Sequence, residues 1–321
     1  MKTYKLLLLS MVLLCTLSSF KAPKNSPVAV NGNLQVIGTQ LSNEKGTPLL
    51  LRGASLGWHN LWPRFYNAGA VRWLAKDWNC NVIRASMGVG LEDSYLENPY
   101  YAMKCMTTVI DAAIKNGIYV IIDFHSHKLH TTEAKKFFTD MASKYKNNPN
   151  VIYEIWNEPD YFTWKVVKQY SEEVISTIRA IDSKNLILVG SPHWDQDLDS
   201  VAANPIVGQK NIIYTMHFYA GTHKKWLRDR TDSVIAKGIP IFVSECAGME
   251  ASGDGPIDQV EWKAFTDWMD KAKLSWCVWS VSDKNESCSM LLPRAAANGN
   301  WADDVIKVWG KISRESIRAS K

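Results

Sequence analysis

The chain has 321 residues, of which 46% are hydrophobic and 21% charged. That composition excludes a disordered or fibrous protein and leaves enough apolar residues for a large core. Lys and Arg total 37 against 32 Asp and Glu, an excess of five, and no basic stripe with interleaved aromatics marks a nucleic-acid partner.

At the N-terminus, Lys2 and Lys5 lead into an apolar run from Leu6 to Leu14, followed by Thr16, Ser18 and Ser19. This pattern predicts a secretory signal peptide over residues 1–22, and so a secreted or periplasmic protein. The run is short of the roughly 20 residues that span a bilayer, so no membrane association is expected after cleavage. Cleavage would remove Lys2, Lys5 and Lys21 and lower the charge excess from five to two. Residues 23–33 read as a tail and 34–321 as one domain. Leu34 to Leu51, with a turn at Asn43 to Gly46, predicts a hairpin leading into it.

Eight short apolar runs bounded by turns then follow. They are Leu49 to Ser55, Asn81 to Met87, Ile118 to Asp123, Val151 to Trp156, Leu186 to Val189, Ile212 to His217, Ile239 to Ser244 and Ser275 to Ser280. Their centres lie 26 to 38 residues apart, which leaves room for a helix after each. Tyr101 to Lys115, Thr131 to Tyr145, Trp164 to Ile181 and Asp258 to Lys271 carry apolar residues at helical spacing. Eight strands alternating with helices predict a single-domain (β/α)₈ barrel, whose strands are buried on both faces and read as continuous apolar runs. An open doubly wound sheet is the alternative, and the missing GxGxxG and P-loop disfavour its nucleotide-binding form. Cys80, Cys105, Cys246, Cys277 and Cys288 remain after cleavage, an odd and scattered set that is no disulfide framework. No CxxC is present, and His125 and His217 lack a nameable third ligand, so neither metal nor cofactor is expected.

Barrel active sites form at the carboxyl ends of the strands. Charged and aromatic residues collect where the apolar runs stop. They are Arg84, Asp123 to His127, Trp156 to Pro159, His217 to Tyr219, Ser244 to Cys246, and Trp279 with Ser280. Two glutamates among them, Glu158 and Glu245, point to glycoside hydrolysis, with one protonated to release the leaving sugar and one ionised to attack. Arg84 and Tyr219 would keep Glu245 ionised, and the charge on Glu245 would raise the pKa of Glu158. A serine hydrolase lacks its G-x-S-x-G elbow. Cys246 reads as wall packing beside Glu245 rather than as a nucleophile paired with His217. His127 and His130 fall in a loop and take no role. The 14 Trp and 12 Tyr are core material but also suit stacking on sugar rings.

The string Ile152-Tyr153-Glu154-Ile155-Trp156-Asn157-Glu158-Pro159 resembles the strand 4 signature of glycoside hydrolase family 5, the cellulase family. Val243-Ser244-Glu245 is similar to its nucleophile segment. Asn81 to Met87, Met216 to His223 and Ser280 to Lys284 resemble its bacterial endoglucanase branch. The likeness covers nearly the whole mature length. It implies a retaining endo-β-1,4-glucanase, with Glu158 as acid/base and Glu245 as nucleophile. Asn157 would bond the sugar 2-hydroxyl, and Arg84 and Tyr219 would hold the nucleophile. His125, His217 and Trp279 would line the same subsite. Trp194 would be the platform on the leaving-group side, Trp58 and Trp62 would stack glucose units on the other, and Lys284 and Glu286 would hold glucose hydroxyls. Phe124 and Cys246 stand where the branch often has Trp, which bears on the shape of that far side. A monomer acting on β-1,4-glucan is expected. The alternatives are another β-glycanase of this fold, a mannanase or xyloglucanase, and a non-catalytic glucan-binding protein.

Overall fold

The computed structural model describes residues 23–319, so the signal peptide expected over 1–22 lies outside the described residues. A two-stranded antiparallel sheet comes first, β1 (Gln35–Ile37) and β2 (Gln40–Ser42). The eight barrel strands follow: β3 (Arg52–Leu56), β4 (Val82–Gly88), β5 (Tyr119–His125), β6 (Val151–Glu154), β7 (Leu186–Val189), β8 (Ile212–Tyr219), β9 (Ile241–Ala247) and β10 (Trp276–Val281). They pair in parallel and in sequence, and β10 closes on β3. Helices lie between them, among them Pro99–Asn116, Thr131–Tyr145, Trp164–Arg179 and Gln259–Ala272. The fold is therefore the expected (β/α)₈ barrel. No helix among the described residues is long and apolar enough to cross a membrane.

Alternation along the strands divides the apolar side chains into two cores. Val82, Tyr119, Ile121, Ile152, Leu188, Ile213, Phe242 and Cys277 fill the barrel interior. Ile83, Ala85, Val120, Ile122, Phe124, Tyr153 and Phe218 face outward and pack under the helices. The helix Pro99–Asn116 stops where Gly117 takes a left-handed φ of 69° and its N–H bonds back to Ala113 and Ile114. Gly53 on β3 marks a close approach between strands. A Cβ there would sit 1.8 Å from the Val82 carbonyl oxygen. Gly53→Ala should therefore lose about 3 kcal/mol of stability, the upper part of the usual range for overpacking, as read by urea unfolding.

Two details differ from the sequence reading. The hairpin turns at Gly38 and Thr39, between β1 and β2, and the chain bends again at Asn43 to Gly46 to bridge Ser42 with Pro48. Residues 23–33 include a short helix, Pro27–Asn31, capped by Ser26. Val28 is buried within the barrel-interior core, and its N–H donates to the Gly117 carbonyl at 2.9 Å. This segment closes the N-terminal end of the barrel.

Candidate active site

Arg84 is the hub of the barrel mouth. It points inward from β4 and is fully buried. Its Nε donates to Glu154 Oε2 at 2.7 Å, Nη1 to Glu245 Oε2 at 2.8 Å, and Nη2 to Asn157 Oδ1 at 2.5 Å. Asp123 Oδ2 lies 3.0 Å from Nη2. Burial alone would lower the Arg84 pKa, but Asp123, Glu154 and Glu245 together hold it well above the ordinary value. In return Glu154, which burial would raise, is brought down to about 2 by Arg84 and by His217. Asp123 goes the other way, its carboxyl raised well above the usual range by burial.

The two glutamates face each other across this mouth. Tyr219 O–H donates to Glu245 Oε1 at 2.8 Å, so each Glu245 oxygen holds one directed hydrogen bond, from Tyr219 or Arg84. An oxygen of Glu158, an oxygen of Glu245 and a ring nitrogen of His217 all lie within 4.8 Å of one another. That spacing fits the roughly 5 Å of a retaining pair and is too short for the roughly 6.5–9.5 Å of an inverting one.

A bulge explains how neighbours on one strand both reach the site. Thr215 pairs with Phe242 and His217 with Glu245, so β9 spends three residues where β8 spends two. Such a bulge re-aims a side chain. Here Ser244 and Glu245 both turn inward. Ser244 bonds His217 Nε2 at 2.8 Å and donates to Glu154 Oε1 at 2.6 Å. Glu245 takes Arg84 and Tyr219. Alternation then resumes, and Cys246 turns outward with its Sγ against the Cys277 carbonyl. A second shift, between Val278 and Val281 on β10, brackets Trp279, whose peptide bond to Ser280 is cis.

The other expected site residues gather here too. His125 Nδ1 lies 2.6 Å from Asp123 Oδ2, and its ring stacks on Trp279 at 5.3 Å and 13°. Burial, with Arg84 nearby, holds His125 well below its usual pKa. Its Nδ1–H therefore goes to Asp123, and Nε2 is left as an acceptor. Asn157 Nδ2 is buried with no hydrogen-bond partner, an uncommitted donor. Trp58 meets the His125 ring edge-on at 4.8 Å. Trp194 lines a cavity of about 310 Å³ together with Glu158, Gln196, His217, Tyr219 and His223. Trp62 lies farther out across Gly57, and Lys284 pairs with Glu286 on the last loop, where Glu286 borders a separate cavity of about 700 Å³.

Three sequence expectations change. Phe124 and Cys246 do not bear on the shape of the cleft. Phe124 packs outward against Tyr95, Phe137 and Phe138. His127 is not a bystander in a loop, because its Nδ1 is 3.6 Å from Glu158 Oε2. Glu158 is not raised by its partner glutamate. Burial pushes it up, but the hydrogen bond from His217, 2.9 Å from Oε1, and the nearby His127 hold it below the usual carboxylate range. His217 is itself depressed by burial and carried well above its usual value by Asp195, Glu154 and Glu158. Glu158 and His217 therefore hold one proton between them. Glu154 and Asp195 were the residues missed. A charged residue at the inner end of an apolar run was the available signal for Glu154.

The profile of the cellulase family, glycosyl hydrolase family 5, matches residues 42–285. The chain belongs to that family. Endoglucanase Z of Dickeya dadantii is 40% identical over 302 residues, which cover 92% of this chain and 70% of that protein. A solved structure from Cytophaga hutchinsonii superposes with a TM-score of 0.89 at 42% identity, covering 91% of this chain and 96% of that one. A variant of the catalytic domain of Thermobifida fusca endoglucanase Cel5A in complex with cellotetraose does so at 0.86 and 33% identity, covering 92% and 100%. This family 5 chain thus carries its two glutamates, Arg84, Asn157 and Tyr219 in one bonded cluster at the barrel mouth.

Proposed function

We propose that the protein is a retaining endo-β-1,4-glucanase that cuts internal bonds of cellulose or mixed-linkage glucan. The observation that carries the mechanism is the approach of Glu158 and Glu245 to within 4.8 Å. Glu245 attacks the anomeric carbon. Arg84 and Tyr219 fix its orientation, which spares the entropy of aligning it during reaction. Glu158 protonates the glycosidic oxygen. The proton it shares with His217 moves onto Oε1 as bound sugar displaces water, since desolvation favours the neutral carboxyl. The glycosyl-enzyme ester then removes the Glu245 charge. Glu158, now ionised, takes a proton from the water that opens the ester.

The side chains around the pair suit a glucose unit. Asn157 Nδ2 is a free donor for a 2-hydroxyl, and His125 Nε2 is an acceptor beside the flat face of Trp279. Trp194 borders the cavity next to Glu158, so it serves the leaving-group side. Trp58, Trp62, Lys284 and Glu286 serve the opposite side. The relatives named endoglucanase and the Thermobifida complex with cellotetraose support a β-glucan substrate.

Viscosity and reducing ends on carboxymethyl cellulose, mannan and xyloglucan test this. A rapid viscosity fall on the cellulose derivative, with few reducing ends released, is expected. Faster cleavage of mannan or xyloglucan would keep the chemistry and replace the substrate. Binding without cleavage of any would replace the enzyme by a glucan-binding protein. The basic and apolar N-terminus further supports export of a mature chain beginning near residue 23, which is expected to be a monomer. N-terminal sequencing and light scattering of the exported protein check both points.

A further inference from the structure

The turn after β7 carries a fifth acidic group into the mouth, beside Asp123, Glu154, Glu158 and Glu245. His193, Trp194 and Asp195 have φ of 50°, 53° and 62°, three successive left-handed residues without a glycine. Residues with side chains seldom adopt that region, and persist there only where surrounding contacts hold them. Here the His193 and Trp194 N–H groups donate to the Asp160 and Pro159 carbonyls at 3.1 and 3.0 Å. The result is a reversal. Trp194 goes to the cleft wall, and Asp195 goes back into the barrel with no exposure at all. Asp195 Oδ1 accepts from the Ser191 N–H at 2.5 Å. Oδ2 has no hydrogen-bond partner and lies 3.3 Å from His217 Nε2.

The proton positions on His217 follow. The Ser244 hydroxyl gives its hydrogen to Glu154, so its oxygen can only accept from His217 Nε2. Asp195 Oδ2 lies 3.3 Å from the same nitrogen and, without a hydrogen bond of its own, sets an acidic oxygen beside it. Nε2 must therefore carry a hydrogen, and only Nδ1 is free to exchange a proton with Glu158. Burial raises the Asp195 carboxyl, and it is the His217 cation, with the Ser191 N–H, that opposes this. With Glu158 and Glu154 adding to burial, the carboxyl lies well above its usual range, so Asp195 holds a charge only against the His217 cation.

We propose that Asp195 is a positioning residue for the acid/base. Acting through His217, it keeps on Nδ1 the proton that Glu158 passes to the leaving sugar. The transfer balances: Nδ1–H moves to Glu158 Oε1, then to the glycosidic oxygen, and the water of the second step restores it. The inference rests on Glu158 being the acid/base. Other groups face His217 as well. Glu154 from β6 lies at 3.8 Å, and Glu158, Glu245 and Ser244 surround it more closely or comparably. Asp123 from β5 and His223 act on it from farther away.

Asp195→Asn keeps the shape and the Ser191 contact while removing the charge. Loss of that charge weakens the hold on the shared proton, so the alkaline limb of kcat/KM on cellotetraose should move to lower pH by 1 or more. Cleavage at pH 8 should fall about tenfold or more, because each pH interval of 1 on that limb is a tenfold change in the protonated fraction. The kcat/KM for dinitrophenyl cellobioside, whose leaving group needs no proton, should stay near wild type. An unmoved limb, or an equal fall on both substrates, overturns the proposal. Glu158→Ala run alongside separates the two readings. If it loses both substrates equally, the acid/base assignment itself is wrong. Should Asp195→Asn not fold, ¹⁵N shifts of the wild-type His217 ring decide. Nε2 protonated throughout pH 5 to 8 is expected, and a bare Nε2 overturns the proposal.

Discussion

Glu245→Ala is expected to lower kcat/KM on carboxymethyl cellulose by at least about 10⁴-fold, the scale on which enzymes lose a covalent nucleophile. At 1.36 kcal/mol per decade that is roughly 5.5 kcal/mol of transition-state stabilisation. The protein should remain folded, because Arg84 keeps Asp123 and Glu154 when Glu245 is removed. Its charge stays compensated, unlike a buried pair stripped of its sole partner. The substitution also opens a space where the carboxylate stood, between Arg84 Nη1 and the Tyr219 hydroxyl, both donors. Azide is a small anion suited to that space. With dinitrophenyl cellobioside, azide should restore cleavage and give the α-glycosyl azide, since it attacks from the nucleophile's side. Viscosity and product stereochemistry by NMR read both parts. Residual wild-type activity, or a β-azide, would move the nucleophile to another residue.

The strands were legible because a parallel barrel buries both faces of each. The runs Leu186 to Val189 and Ile118 to Asp123 could then be read without any alternation, and polar residues at their ends stood out. What stayed hidden depended on which way a side chain turns. Asp123 and His125 face inward, so Phe124 between them faces out, and the period of two could have excluded it from the cleft. Ser244 and Glu245 break that period through a bulge that no glycine or proline announces. Asp195 was hidden for a related reason. A left-handed residue is normally signalled by Gly or Asn, yet His193, Trp194 and Asp195 are held there by contacts with the preceding loop. The hairpin turn was misplaced because Asn43 to Gly46 has the stronger turn composition, while the reversal between β1 and β2 needs only Gly38, at φ 61°. The effect of His217 on Glu158 depended on the 2.9 Å contact between β8 and the loop after β6, which spacing along the chain cannot give.

Glu158→Ala separates acid catalysis from attack by its dependence on the leaving group. On carboxymethyl cellulose the departing sugar is a poor leaving group, so kcat/KM should fall by about 10³- to 10⁴-fold, the upper range of general acid catalysis. Dinitrophenolate departs without a proton, and kcat/KM for its cellobioside should stay within about tenfold of wild type, since Glu245 with Arg84 and Tyr219 is intact. The second step still lacks its base. The glycosyl-enzyme should accumulate, giving a burst of dinitrophenolate equal to the enzyme, followed by slow turnover. Azide needs no base and should speed that turnover, yielding the β-glycosyl azide, the opposite anomer from the Glu245→Ala product. The alkaline limb should also vanish from the residual activity on carboxymethyl cellulose, because the proton held between Glu158 and His217 no longer serves a step. A fall of equal size on both substrates would mean that Glu158 only shapes the cleft, and the proton donor would then have to be sought at His217 or His127, the two ionisable groups at its oxygens.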